Sequence, residues 1–127
     1  MNIYTALATA ITLAGASLSA HAASVAAGGV YGGPQQKYAY CYVFNVGKPV
    51  TLTRADIIDQ NGNVLGTSGN CNVQILSRRT CQIAANIASN LTYGCRVIVA
   101  DQAAPNLRGT LDFRDANQTV LVSAPLR

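Results

Sequence analysis

The sequence predicts an all-β protein, an antiparallel β-sandwich of about seven short strands held by two disulfides. Three observations lead to this fold class. Asn, Thr, Gly, Val and Ile are abundant and glutamate is absent, a balance that favours strands and turns over helices. Short apolar, β-branched runs alternate with turn signals along the chain. Four cysteines lie within the same region and can cross-link it. The length of 127 residues permits one domain.

The N-terminal segment predicts export. Residues 3–20 are moderately apolar and end in Ala20-His21-Ala22, whose small first and third residues suit signal peptidase. We therefore predict a signal peptide over residues 1–22, cleaved after Ala22, although it lacks the usual basic residue near its start. The alternative, an uncleaved membrane anchor, is disfavoured by the Thr and Ser within the run. Export implies a periplasmic or extracellular location, with no stable membrane span after cleavage.

The mature chain is predicted to begin with a flexible leader over residues 23–36. This segment contains Gly28-Gly29, Gly32-Gly33 and Pro34, and glycine raises the entropic cost of ordering a chain. An edge strand around Val30-Tyr31 is the alternative. The β-sandwich domain is predicted over residues 37–127.

The first predicted strand of the domain, residues 38–44, is aromatic and β-branched. Period-two alternation places Cys41 and Val43 on one face and the aromatic side chains on the other. The aromatic set is Tyr38, Tyr40, Tyr42 and Phe44. An exposed tyrosine face would be a possible ligand face for sugar rings or for a protein partner. We favour the alternative, in which the second sheet or the leader covers it.

The remaining elements follow from short apolar runs and turn residues. Asn61-Gly62 predicts a tight hairpin turn, because both residues tolerate positive φ. A single helical turn is predicted over residues 84–89 and a loop over 101–106. Strands are predicted over residues 50–58, 64–65, 73–76, 80–84, 91–100, 107–114 and 119–122. The run 91–100 is the central strand of this interpretation.

The four cysteines allow three pairings. Cys71 and Cys81 flank a predicted short hairpin, whereas Cys41 and Cys95 lie in apolar strands that can face each other across a core. We therefore predict disulfides Cys41–Cys95 and Cys71–Cys81. A structural zinc site is the alternative, but the spacing contains no Cys-x-x-Cys pair and the only histidine, His21, leaves with the signal peptide.

Two sets of motifs resemble immunoglobulin-like modules. Tyr93-Gly94-Cys95 with Cys41 resembles an immunoglobulin-type core disulfide with its tyrosine corner, although the chain contains no tryptophan. A second set is similar to the abnormal-spindle/hydin and choice-of-anchor type repeats of bacterial surface proteins, over residues 40–115. Its motifs are Phe44-Asn45-Val46-Gly47, Val50-Thr51-Leu52-Thr53, Asn70-Cys71, Leu76, Thr80-Cys81-Gln82-Ile83 and Leu107-Arg108-Gly109-Thr110-Leu111. The resemblance implies an immunoglobulin-like and mostly non-catalytic module.

Residue usage argues against catalysis. Loss of His21 removes the base of a Ser-His-Asp or Cys-His arrangement, and every acidic residue is an aspartate in or near a turn or strand end. We predict no enzyme activity, catalytic residue, metal or cofactor. The net charge of +4 is scattered, with Arg78-Arg79 the only adjacent basic pair, so no nucleic-acid partner is predicted.

These observations predict an exported, non-enzymatic immunoglobulin-like module with a binding or structural role in the cell envelope or outside the cell. Its partner would be an envelope protein or glycan, and the oligomeric state stays open. The alternative is a pilus- or coat-type subunit that assembles by strand addition, with the leader as the donated strand. The leader lacks the sustained alternation of large apolar residues that such a strand needs.

Overall fold

The computed structural model describes residues 21–66 and 70–127 of the chain. They form two antiparallel four-stranded sheets with a shared core between them. The predicted all-β sandwich with two disulfides is confirmed, with eight strands in the described part. Residues 1–20 of the predicted signal peptide lie outside the described residues. Within the described residues, no helix is long and apolar enough to cross a membrane.

The strands divide evenly between the two sheets. Sheet 1 has the strand order β1-β6-β3-β4, and sheet 2 has the order β5-β2-β7-β8. The elements in chain order are β1 (Ala22–Val30), β2 (Tyr38–Asn45), β3 (Arg54–Asp59), β4 (Val64–Gly66), β5 (Thr80–Asn86), β6 (Tyr93–Ala100), a 3-10 helix (Asp101–Asn106), β7 (Leu107–Arg114) and β8 (Val120–Pro125). Strand β6 is an inner strand, as predicted for the run 91–100.

The core forms where the inward side chains of the two sheets meet. In β2, Cys41 and Val43 are buried, as the alternation predicts, and in β6 Val97 and Val99 are fully buried. The largest buried ring pair is Tyr93 of sheet 1 and Phe113 of sheet 2, whose ring centroids lie 6.1 Å apart in an edge-to-face arrangement. Aromatic pairs in this geometry add to the stabilisation from area burial alone.

Both predicted disulfides are present. Cys41 of β2 and Cys95 of β6 join the two sheets through the centre of the core, with their Cα atoms 6.2 Å apart. Cys71 and Cys81 join the loop before β5 to the start of β5, with their Cα atoms 4.9 Å apart. The long-range bridge closes a loop of 54 residues and the local one a loop of 10. The first therefore constrains the unfolded chain more strongly.

A tyrosine corner fixes the connection between β5 and β6. Tyr93 is 2 % exposed, and its hydroxyl oxygen accepts a hydrogen bond from the backbone N–H of Ala88 at 2.7 Å. The tyrosine precedes Cys95 by two residues, so the corner and the inter-sheet disulfide hold the same end of β6. This is the arrangement that the motif Tyr93-Gly94-Cys95 suggested.

We expect Tyr93→Phe to lower the free energy of unfolding by about 1–2 kcal/mol, because the ring stays in the core while the Ala88 amide loses its acceptor. Urea denaturation of the oxidised protein measures the change. Tyr31→Phe is the matched control, since its exposed hydroxyl donates to the Ser89 carbonyl at 3.0 Å; we expect it to change stability by less than about 0.5 kcal/mol. Equal losses in the two variants would contradict a special role for the corner.

The flexible leader predicted over residues 23–36 is wrong. Residues 22–30 form β1, which pairs antiparallel with β6 at the edge of sheet 1. The rest of the segment is held by Gln36, whose side-chain nitrogen donates to the carbonyls of Ala88 and Leu91, both at 2.7 Å. The edge of β6 that does not pair with β3 supplies hydrogen-bond partners for β1. These partners order the segment despite its glycine content.

Three local predictions are also corrected. The helical turn over residues 84–89 is wrong, because β5 continues to Asn86 and pairs with β2. The strand over 73–76 is reduced to one bridge, between Ile75 and Val50. Strand β3 begins at Arg54, not at residue 50. The Asn61-Gly62 hairpin is confirmed between β3 and β4, but only Gly62 has positive φ (+84°), so the turn is not the primed type in which both residues do.

Candidate functional site

The aromatic side chains of β2 lie on the outer face of sheet 2. Cys41 and Val43 point into the core, so Tyr38, Tyr40 and Tyr42 point away from it and are half-buried. Phe44 continues the row and is 36 % exposed. The expectation that the second sheet or the leader covers this face is wrong, because sheet 1 packs on the opposite side and β1 lies along β6. We call these four side chains the tyrosine face.

The neighbouring strands give the tyrosine face one uncharged flank and one charged flank. On β5 the cross-strand partners are Asn86, Ala84, Gln82 and Thr80. On β7 the partners are Arg114, Asp112, Thr110 and Arg108. Sequence reasoning missed the β7 residues as part of the site. Their period-two spacing indicates that they share one face of β7. The sequence does not indicate, however, that β7 pairs with β2.

The three tyrosine rings form a row along the strand, with one tilted pair and one stacked pair. The ring centroids of Tyr38 and Tyr40 lie 6.5 Å apart with an interplanar angle of 47°, and those of Tyr40 and Tyr42 lie 6.2 Å apart at 19°. The guanidinium carbon of Arg114 lies 4.9 Å from the Tyr40 ring centroid, within the range of a cation–π contact. The Arg114 guanidinium therefore covers one face of the Tyr40 ring.

A polar network fixes the positions of the Tyr40 and Tyr42 rings. Arg114 donates to the hydroxyl of Tyr42 at 3.3 Å, and the guanidinium also lies 3.7 Å from a carboxylate oxygen of Asp112. Ser123 of β8 donates to Asp112 at 2.6 Å. The Tyr40 hydroxyl donates to the side-chain oxygen of Gln118 at 3.1 Å. Side chains held in this way lose little conformational entropy when a partner binds.

A shallow groove opens at the far end of the tyrosine face. Its volume is about 380 Å³, and Tyr42 and Phe44 form its aromatic wall. Arg108 lies at its rim, with its guanidinium held by the backbone carbonyls of Pro105 and Leu107 at 2.6 and 2.8 Å. The groove thus combines an apolar wall with a fixed positive charge.

The geometry bears differently on the two ligand classes that the sequence left open. A sugar ring binds tyrosine by lying flat on an uncovered ring face, and one face of the Tyr40 ring is in contact with the Arg114 guanidinium. What the face offers to a partner is ring edges, hydroxyl groups, an apolar groove and positive charge. Tyr and Arg in a pre-organised cluster are the residues that dominate protein–protein interfaces.

Four of the five aspartates of the chain are engaged in structural contacts. Asp56 is 1 % exposed and accepts hydrogen bonds from Arg54 at 2.5 Å and from Arg96 at 2.7 Å. The Asp115 carboxylate accepts the backbone N–H groups of Asn117 and Thr119 at 2.8 and 2.9 Å in the β7–β8 turn. Ion pairing accounts for the presence of Asp56, and turn formation accounts for the presence of Asp115.

Asp59 closes the β3–β4 hairpin. Its carboxylate accepts the backbone N–H groups of Asn61 and Asn63 at 2.8 and 2.9 Å, and the Asn63 side chain donates to its other oxygen at 2.9 Å. The side-chain hydrogen bond from Asn63, followed by these backbone bonds, lowers the pKa of Asp59 below its usual value. Local turn chemistry accounts for both of its oxygens.

Comparisons with known proteins identify no relative of the chain. No family model matches the chain, and no curated protein or solved structure matches it.

Proposed function

We propose that the chain is an exported, non-enzymatic immunoglobulin-like module of the cell envelope that binds a protein partner through the tyrosine face. The signal-like segment over residues 1–22 supports export, and two disulfides fit an oxidising compartment. The engagement of Asp56, Asp59 and Asp115 in structural contacts supports a non-enzymatic role.

The observation that carries the proposed binding role is the ordered row of tyrosines beside Arg114. Three aromatic side chains on an outer sheet face, locked by Arg114 and by hydrogen bonds, contribute nothing to the core between the sheets. Such a cluster is pre-organised for a partner, and tyrosine and arginine are enriched among the residues that contribute most to binding energy.

The groove beside the face indicates the chemistry of the partner. The aromatic wall formed by Tyr42 and Phe44 suits an apolar side chain, and Arg108, which also lines the groove, suits a carboxylate. The whole chain carries a net charge of +4, which attracts an acidic partner at long range. We therefore propose an acidic envelope protein that inserts an apolar side chain next to Phe44.

The test uses the immobilised exported protein and the envelope fraction of its host, with and without prior proteinase treatment. We expect saturable binding that proteinase abolishes, and Tyr42→Ala should weaken it by about 2 kcal/mol, or roughly thirtyfold. Tyr31→Ala, an exposed tyrosine outside the face, is the matched control and should bind like the wild type.

Two outcomes would overturn this proposal. Binding that survives proteinase treatment would identify a glycan or lipid as the ligand. Equal affinities of the Tyr42→Ala variant and the wild type would remove the tyrosine face as the binding site. Circular dichroism and the disulfide content of both variants show whether they remain folded.

A further inference from the structure

Strand β1 is attached to the domain differently from the other strands. None of its nine residues is fully buried, whereas five of the eight residues of β6 are. Only Val25, Ala27 and Val30 pack partly against the core. Strand β1 is therefore held mainly by backbone hydrogen bonds to β6. An equivalent strand from another chain can form the same bonds.

The edge of β6 is shaped to accept a strand of small residues at close range. A Cβ atom at Gly94 would lie 2.8 Å from the backbone oxygen of Ala27, so this approach requires glycine in β6. On its other edge, β1 pairs with the C-terminus through reciprocal backbone bonds between Ala26 and Arg127, both 2.9 Å long. Together β6 and Arg127 form a narrow slot that fits the small side chains of β1.

A glycine hinge separates β1 from the part of the segment that is anchored. Ala27 pairs with Cys95 and Val30 with Tyr93, so one extra residue bulges at Gly28-Gly29, and Gly29 has φ +67°. A Cβ atom at either glycine would have no neighbour within 4 Å.

Beyond the hinge, the segment is held to its own domain. Buried Gln36 accepts the backbone N–H of Gly32 at 2.8 Å and donates to the carbonyls of Ala88 and Leu91. The strand can therefore swing at Gly28-Gly29 while residues 30–36 stay in place.

We propose that β1 is an exchangeable strand and that its partner is a second copy of this chain. Residues 23–27 of each copy then occupy the slot beside β6 of the other, with the pairing register of the monomer retained. A second copy fits because it supplies the same small side chains to Gly94 and the same backbone bond to Arg127. The exchange site lies on sheet 1, away from the tyrosine face, and is independent of the proposed function.

The position of the hinge makes the exchange reciprocal. Val30 pairs with Tyr93, so the hinge lies at the amino end of β6, where the slot also ends. The three Cα–Cα steps from Ala27 to Val30 span at most about 11 Å, so the donor domain must lie next to this end of the acceptor. The acceptor's own released strand emerges there and faces the empty slot of the donor. The product is a closed two-fold dimer, unlike the open chain of a pilus-type subunit.

The test links β1 to β6 across two chains. Ser24 and Ile98 are cross-strand partners on the outer side of sheet 1, away from both native disulfides. The variants Ser24→Cys and Ile98→Cys are mixed, unfolded with their native disulfides intact, and refolded at increasing concentration. We expect a dimer on size-exclusion chromatography that oxidises to a 24–98 disulfide between unlike chains. In the control, Ser24→Cys is mixed with Ser123→Cys on β8 in place of Ile98→Cys. This mixture should give no disulfide between unlike chains.

A hinge variant gives an independent readout. Proline cannot adopt the positive φ of Gly29 but fits an extended hinge, so Gly29→Pro should raise the dimer-to-monomer ratio about tenfold. Gly29→Asn tolerates positive φ and should behave like the wild type. Absence of a dimer at every concentration, a dimer without the 24–98 link, a ladder of larger linked species or an unchanged ratio in Gly29→Pro would each overturn the proposal.

Discussion

Replacing both Cys41 and Cys95 by alanine should lower the free energy of unfolding by about 4 kcal/mol. The bridge closes a loop of 54 residues, and the chain-entropy model assigns that loop about 4 kcal/mol at room temperature. Both sulfur atoms lie in the core between the sheets, so their loss also removes packing there. Domains of this size have net stabilities of about 5–15 kcal/mol, so the variant should be close to unfolding. Urea denaturation of oxidised protein measures the change.

The local disulfide is the matched control for that experiment. Cys71–Cys81 closes a loop of 10 residues, for which the same model gives roughly 2.5–3 kcal/mol. We therefore expect the double variant Cys71→Ala/Cys81→Ala to unfold at a clearly higher urea concentration than Cys41→Ala/Cys95→Ala. The reverse order would show that the inter-sheet bridge is not the main cross-link of the fold.

Phe113→Ala should destabilise the domain by about 3–5 kcal/mol. The Phe113 side chain is 0 % exposed and packs edge-to-face on Tyr93, so truncation leaves a cavity between the sheets. Its strand partners Ala39 and Val122 lie on β2 and β8, and the paired backbones of these strands cannot move in to fill that space. Thermal and urea unfolding of the variant measure the loss.

Phe44→Ala provides the comparison, because the chain has two phenylalanines and Phe44 is 36 % exposed on the outer face. We expect it to cost less than about 1 kcal/mol. A loss from Phe44→Ala as large as that from Phe113→Ala would contradict the assignment of Phe44 to the outer surface. Binding of the envelope partner should respond in the opposite order, since Phe44 lines the groove and Phe113 does not.

The sequence predicts the parts of the fold whose signal is local. The aromatic and β-branched residues of β2 and the apolar run of β6 predict strands, and the cysteines within them predict the bridge Cys41–Cys95. The place of the Asn61-Gly62 turn is predicted for the same reason, because the one positive φ that it needs falls on a glycine within it.

Strand β1 is different because its strand conformation depends on a partner. Its Ala, Ser and Gly residues have weak β-propensity, and the backbone bonds that hold them come from β6 and from Arg127. The lack of a side chain at Gly94 allows the close approach. None of these features lies within the segment itself, so a reading of residues 23–36 in isolation suggests flexibility.

The sequence predicts which residues make up the tyrosine face but not that this face is exposed. Alternation along β2 is a property of one strand, and it correctly places Tyr38, Tyr40 and Tyr42 on one side. Which side faces solvent depends on where sheet 1 packs. The contribution of Arg114 depends on the pairing of β2 with β7, across 72 residues of sequence. The exposure of the face and the position of Arg114 both depend on the tertiary arrangement.

A mass-spectrometric peptide map of the exported protein, digested without reduction, tests the central claim most directly. We expect a mature N-terminus at Ala23 and two linked peptides, one joining Cys41 to Cys95 and the other joining Cys71 to Cys81. Free thiols at Cys41 and Cys95 in a compact, soluble protein that retains residues 1–22 would contradict both the export and the disulfide-linked sandwich.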